Sequence, residues 1–197
     1  MDPRQARTRS ALSDAIHELA TSKPIDDVTM SEIARTAGVT RDTVHRHTTS
    51  PAHLLTVVLG EELDEIVAAN SALPVRLPSG TSVFERPTVV LLEHIVEHEA
   101  IYRNALLPRL NSHLREMLSD HITTGLLVHL RAHPEIAPDV LGHRPDDAAM
   151  TMLAAYAGAG TVSVIERWLS EEPRASIEYA TAAILAAAPE WWQGVAR

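Results

Sequence analysis

The chain has 197 residues, a formal net charge of −9 and 45% hydrophobic residues, enough apolar material for a substantial core. It contains no cysteine, which excludes disulfides, Cys-ligated zinc and thiol chemistry. We expect no signal peptide, since the first ten residues are polar and charged. We also expect no membrane span, since the most apolar run, Ala182 to Ala188, is far below the roughly 20 residues needed. A cytoplasmic protein is therefore expected.

Charge is distributed unevenly along the chain. Up to Ser50, seven basic and seven acidic residues balance, so the rest of the chain carries the whole net charge of −9. A DNA-binding segment would therefore lie in the N-terminal part, and the acidic remainder would repel DNA.

The first helix is predicted from Pro3 to Thr21, with Asp2 as its cap, because apolar residues recur there at helical spacing. Three arginines lie near its start: Arg4, Arg7 and Arg9. They either form an ordinary solvent-exposed helix end or reach DNA phosphates. A loop is predicted from Ser22 to Val28.

Two short helices follow, joined by a tight turn. Thr29 and Glu32 have the Thr-x-x-Glu spacing of a capping box, which predicts a helix start. Gly38 suits the left-handed residue that ends such a helix, and Thr40 can cap the next one, residues 41–47. Two helices joined in this way form the helix-turn-helix plan, whose second helix enters the DNA major groove.

This stretch resembles the DNA-binding segment of the TetR family of bacterial transcriptional regulators. The resemblance is carried by Ala34-x-x-Ala37-Gly38-Val39-Thr40-x-x-Thr43 and by His47, and it covers about residues 4–59. A weaker similarity lies in residues 158–162 and 167–169. The resemblance implies an all-α protein with an N-terminal three-helix DNA-binding module and a C-terminal helical ligand-binding and dimerisation domain.

The candidate DNA contacts lie around the second short helix. Arg41 can pair with guanine O6 and N7. Asp42 can accept from cytosine N4 or stabilise its own helix start. The threonine hydroxyls suit phosphate or base contacts. The candidates are Thr29, Thr40, Arg41, Asp42, Thr43, His45 and His47.

The segment departs from the family pattern at three positions. His45 replaces the usual phosphate-binding tyrosine, Thr48 replaces a core aromatic residue, and Pro51 replaces a lysine. These replacements predict weakened DNA binding or an unusual operator. Because a histidine gains positive charge as the pH falls through about 6.5, they also predict tighter operator binding at pH 6 than at pH 8, through His45 and His47.

The remaining chain is predicted to be helical. A helix capped by Ser50 runs from Pro51 to about Asn70, and a break rich in proline, serine and glycine follows at 73–80. The predicted domains are residues 1–50 for DNA binding, 51–72 as a connecting helix, and 73–197 for ligand binding and dimerisation. Later helices are predicted over residues 87–107 (one or two helices), 111–133, 146–170 and 174–188, with a loop over 134–145.

The C-terminal part offers a candidate dimer interface and a candidate effector site. Alanine and glycine are abundant over residues 146–188, which favours close helix packing in a homodimer or within one chain. An apolar cavity with few polar groups is the general form of a small-molecule site, although ordinary core packing explains the same residues. The effector candidates are Leu91, His94, His98, Tyr102, Met117, His121 and Tyr156.

A rival interpretation starts from His94 and His98. The pattern His-x-x-Glu-His is that of inverted zinc peptidases, and on one helix the two histidines would share a face. His129 and His133 repeat the spacing among 11 histidines, so chance also explains it. No nucleophile or phosphate-loop motif occurs. We therefore predict no enzyme and no cofactor, and assign no catalytic residue or metal ligand.

The sequence predicts a ligand-responsive transcriptional regulator that binds double-stranded operator DNA as a homodimer. A repressor released from a palindromic operator by a small-molecule effector is favoured. The alternatives are a metal-sensing regulator using His94 and His98, and a helical protein-interaction adaptor that has lost DNA binding.

Overall fold

The computed structural model describes residues 3–70, 82–106 and 110–188, and every structural statement below refers to these residues. They form helices and no named β-strand, which confirms the all-α prediction. The helices are α1 (Pro3–Ser22), α2 (Met30–Thr36), α3 (Arg41–His47), α4 (Pro51–Asn70), α5 (Glu85–Glu97), α6 (Glu99–Asn104), α7 (Ser112–Ala132), α8 (Asp147–Leu169) and α9 (Ile177–Ala187). Short 3-10 turns lie at Ile25–Asp27 and Pro134–Ile136.

The described residues divide into two compact units. The first takes the chain up to Glu62 together with Glu97–Leu114, and the second takes Leu63–Val96 with the residues from Arg115 onward. The predicted break at residues 73–80 and the cap at Asp2 lie outside the described residues, so the predicted domain boundaries remain a proposal.

The first unit is built around the apolar faces of α1 to α4. Its core includes Leu12, Ile16, Ile33, Val44, Leu55 and Leu59, each at most 2% exposed. The side-chain amide of Asn104 on α6 donates to the carbonyl oxygens of Ala20 and Thr21, both at 3.0 Å. These bonds attach α6 to the end of α1, where free carbonyl groups need partners.

The second unit contains α5, α7, α8 and α9. One cluster of its buried residues comprises Val83, Phe84, Leu126, Ala154 and Ala157. Arg131 near the end of α7 makes a two-pronged contact with Asp147 at the start of α8, with bonds of 2.7 and 2.9 Å.

The last helix begins later than predicted. Its start was predicted at Arg174, whereas α9 begins at Ile177 behind Ser176, whose hydroxyl accepts from the Tyr179 N–H at 3.1 Å. The indole N–H of Trp168 donates to the carbonyl of Ala175 at 2.8 Å. This bond links Ala175, which lies just before α9, to the end of α8.

The helical segment after Glu85 breaks at His98. Helix α5 ends at Glu97 and α6 begins at Glu99, so the segment forms two helices. His94 therefore lies on α5, His98 lies between the two helices, and Tyr102 lies on α6.

Helix α8 is long and apolar enough to cross a membrane by length and composition. Of the apolar 18-residue stretch that meets this criterion, 28% is buried inside the protein. The expectation of no membrane span considered only the shorter run at Ala182–Ala188 and missed this helix. One such helix is weak evidence for a membrane span, because helices of soluble proteins pass the same test.

Candidate nucleic-acid interface

The start of α2 is fixed by the predicted capping box. The Glu32 N–H donates to the Thr29 hydroxyl at 3.2 Å, and the Thr29 N–H donates to the Glu32 carboxylate at 2.9 Å. The Lys23 ammonium donates to the same carboxylate at 2.8 Å. Hydrogen bonds from Lys23 and then from Thr29 lower the pKa of Glu32 to about 2, so the box stays intact at neutral pH.

The turn after α2 closes as a left-handed glycine cap. Gly38 has φ of +65°, a conformation that costs glycine little. The Val39 N–H donates to the carbonyl of Ala34 at 2.9 Å, and the Gly38 N–H donates to that of Arg35 at 3.2 Å. These bonds satisfy two carbonyls at the end of α2 and turn the chain into α3.

Helix α3 is capped at its start and anchored by one residue. The Thr40 hydroxyl accepts from the Thr43 N–H at 3.2 Å and lies 2.9 Å from the Thr43 hydroxyl. Val44 is fully buried, as expected for a core residue. The opposite side of α3 is exposed, as a reading helix requires.

The predicted contact residues share this accessible surface. Thr43 is half-buried, and the other six are exposed: Thr29, Thr40, Arg41, Asp42, His45 and His47. Arg46 was absent from the predicted set, yet it is exposed and its guanidinium donates to the Thr43 hydroxyl at 3.2 Å. Its position three residues after Thr43 on a short basic helix was the signal that could have identified it.

Thr48, which replaces a core aromatic residue of the family pattern, is buried and has a hydrogen-bond partner close by in the chain. Thr48 is 4% exposed, and its hydroxyl donates to the carbonyl of Ser50 at 2.8 Å. The Ser50 hydroxyl accepts from the His53 N–H at 3.1 Å, which confirms the predicted cap of α4. A buried hydroxyl with a partner avoids the cost of an unmet hydrogen bond, although it fills less space than an aromatic ring.

The effector candidates fall into separate parts of the structure. In the second unit, Leu91 and His94 are buried on α5, and Met117 and His121 are half-buried on α7. Burial lowers the pKa of His121, against the opposing effect of Asp64, whose carboxylate lies 3.3 Å from Nδ1.

The other three effector candidates have different surroundings. His98 and Tyr102 belong to the first unit. Tyr102 is fully buried, and burial followed by the charge of Glu62 raises the pKa of its phenol. Tyr156 is 81% exposed on α8, so within one chain it does not line an enclosed cavity.

Comparison with known proteins adds a family match and related folds. Residues 12–56 match the family described as "Bacterial regulatory proteins, tetR family". No curated protein matches the chain in sequence.

Among solved structures, the chain is similar to a TetR transcriptional regulator from Rhodococcus sp. RHA1 (22% identity, TM-score 0.59, covering 93% of this chain and 94% of that one). It is also similar to the TetR family repressor AlkX from Dietzia sp., implicated in biodegradation of n-alkanes (16% identity, TM-score 0.60, coverage 96% and 97%). A third is RolR in complex with the ligand resorcinol (18% identity, TM-score 0.59, coverage 97% and 95%).

The family match spans the capped helices and the glycine turn described above, so the resemblance is confirmed at the residues that carry it. The similar structures cover nearly the whole chain and show the shared all-α fold. The matched family is one of bacterial regulatory proteins, in agreement with the prediction that the chain is no enzyme. Residues 12–56 are therefore similar to the tetR family of bacterial regulatory proteins, and the described part of the chain shares the fold of the solved TetR-family structures.

Proposed function

We propose that the protein is a homodimeric repressor that binds a palindromic operator and leaves it when a small-molecule effector binds. The observation that carries the DNA-binding part is the exposed side of α3. It presents Arg41 beside two mutually hydrogen-bonded threonines while Val44 fixes the helix to the core. An arginine at the start of a recognition helix suits guanine in the major groove.

Dimerisation is supported by an apolar surface on the second unit. No charged residue lies between Asp147 and Glu166, and the exposed residues of α8 recur at intervals of three and four. Met152 and Tyr156 on α8 and Tyr179 on α9 are 69%, 81% and 68% exposed. We call this surface the α8–α9 face; it also includes Ala155, Ala159, Gly160, Ser163, Ala182, Ala183 and Ala186.

An exposed apolar surface of this kind marks an interaction site in a soluble protein. Pairing of two α8–α9 faces would give a four-helix interface. This pairing would also cover α8, the helix that is apolar enough to cross a membrane. A second copy of the chain therefore accounts for the apolar composition of α8. Two recognition helices would then meet half-sites about 34–36 Å apart.

Effector release requires that the effector bind the DNA-free state more tightly than the DNA-bound state. Our candidates within the second unit are Leu91, His94, Met117 and His121. Among the similar proteins, RolR forms a complex with its ligand resorcinol, and AlkX is a repressor. Both support an effector-released repressor here.

Selection of bound sequences from a random DNA pool, followed by footprinting, tests the proposal. We expect a palindromic consensus protected on one face of the duplex. Recovery of no enriched sequence would reject DNA recognition and favour the adaptor alternative. A consensus without two-fold symmetry would reject the proposed dimeric contact.

A further inference from the structure

Three polar side chains from three helical segments meet within the first unit. They are His17 on α1, Glu62 on α4 and His98, which immediately precedes α6. The His98 Nε2 lies 2.9 Å from one oxygen of Glu62, and the His17 Nε2 lies 3.3 Å from the other. We call them the His17–Glu62–His98 cluster.

The cluster is partly sheltered from solvent. The side chains of His17, Glu62 and His98 are 26%, 33% and 17% exposed, and the two imidazole rings are 5.0 Å apart. Nearby donors or positive charge stabilise a carboxylate that is partly withdrawn from water.

Hydrogen bonding leaves one atom of the cluster unused. The His17 Nε2 is buried and makes no hydrogen bond, although a Glu62 oxygen is 3.3 Å away. Buried polar atoms in proteins almost always have a bonding partner, so we expect the His17 Nε2 to have one as well. An imidazole nitrogen with a free lone pair is a good ligand for a transition-metal ion.

The donor set and the spacing both suit such an ion. One ligand atom from each residue can be chosen so that all three lie within 4.8 Å of one another. Zinc bonds of about 2.0–2.2 Å in tetrahedral geometry separate neighbouring ligands by about 3.3 Å, and the two nitrogen–oxygen distances of 3.3 and 2.9 Å are close to this value. Imidazole and carboxylate ligands are those of zinc and related divalent metals, whereas calcium and magnesium prefer oxygen alone.

We propose that His17, Glu62 and His98 form a binding site for a divalent transition-metal ion of the zinc class. The three protein ligands leave a coordination position for water or for a donor atom of another molecule. The bound ion would cross-link α1, α4 and the start of α6. This site differs from the His94 and His98 pair suggested by the sequence, because it uses partners that are remote along the chain.

Metal binding to the purified, chelator-treated chain tests the proposal without any use of DNA. Calorimetric titration with zinc chloride is expected to give one ion per chain. His17→Gln, Glu62→Gln and His98→Gln should each weaken zinc binding at least tenfold. His53→Gln and Glu65→Gln, which change exposed residues of α4, should leave it unchanged.

If a variant folds poorly, measurements on the unmodified chain and on a variant of a second histidine pair still test the proposal. Zinc should raise the melting temperature of the unmodified chain, and bound cobalt should give an absorption spectrum that His98→Gln alters. The proposal is overturned if the unmodified chain binds no stoichiometric zinc. It is equally overturned if folded His98→Gln keeps full affinity while His133→Gln loses it, which would place the ion at the His129 and His133 pair.

Discussion

Gly158 of α8 lies so close to Thr123 of α7 that a Cβ atom at Gly158 would be 2.4 Å from the Thr123 hydroxyl oxygen. The carbonyl oxygen of Ser119 would be 3.0 Å from the same Cβ. Gly158 is buried, whereas Ala159 and Gly160 are exposed. The run of small residues, predicted to serve dimerisation or intrachain packing, thus serves intrachain packing on one side and remains exposed on the other.

Gly158→Ala should therefore destabilise the chain. The Thr123 side chain can rotate away, but the Ser119 carbonyl belongs to the α7 backbone and can move only with the helix. Overpacking of this kind costs about 1–3 kcal/mol, partly offset by the better helix propensity of alanine. Urea unfolding at fixed protein concentration measures the free energy of unfolding.

Gly125→Ala is the matched control, because a Cβ at Gly125 on α7 would meet nothing within 4 Å. Alanine in a helix interior is favoured over glycine by about 1 kcal/mol, so this variant should be neutral or stabilising. Equal stability of the two variants would show that α7 and α8 are not in close contact at Gly158.

The sequence predicted what local chemistry decides. The caps at Thr29, Thr40 and Ser50 act within three residues of the helix start, so each signal is complete in a short stretch. The left-handed turn at Gly38 was equally predictable, because it depends only on the backbone conformation of that residue.

Features set by tertiary contacts were not predictable from local patterns. Just before α9, Ala175 accepts a hydrogen bond from Trp168 on α8, a contact that no local pattern indicates. The His17–Glu62–His98 cluster joins residues from distant parts of the chain, and helical spacing says nothing about which helices meet. Spacing alone paired His98 with His94, and it gave no sign that the His98 Nε2 lies 2.9 Å from Glu62.

The α8–α9 face gives a second prediction. Ala159→Glu should convert the dimer to a monomer, because pairing two copies would bury a carboxylate without a partner at the interface. The expected shift in dimer dissociation constant is at least tenfold, measured by analytical ultracentrifugation. Thr124→Glu, at an exposed position of α7, should leave the dimer intact. Retention of the dimer by Ala159→Glu would place the interface elsewhere.

His129 should make the fold sensitive to acid. Its side chain is 8% exposed, packs edge-on against Phe84 and lies near His133, and its Nε2 has no hydrogen-bond partner. Burial, then the charge of His133, lowers the pKa of His129 against the opposing effect of Glu135.

Because the folded pKa of His129 lies below the unfolded value of 6.5, the unfolded chain takes up the proton first on acidification. Its stability contribution is complete above pH 6.5 and is lost as the pH falls from there through the folded pKa. Urea unfolding at pH 8 and pH 5.5 should show a smaller loss for His129→Leu than for the unmodified chain. The same loss in both proteins would assign the acid sensitivity to other groups.

Arg41 should supply base discrimination at one position of each operator half-site. It is exposed at the first turn of α3, where recognition helices meet base edges. Arg41→Ala should weaken binding to the selected operator by about 1–3 kcal/mol and relax the preference for guanine at that position. Arg35→Ala, at an exposed position of α2, should leave base preference unchanged. Repeating the random-pool selection with both variants measures this, and a consensus unaltered by Arg41→Ala would assign readout to other residues.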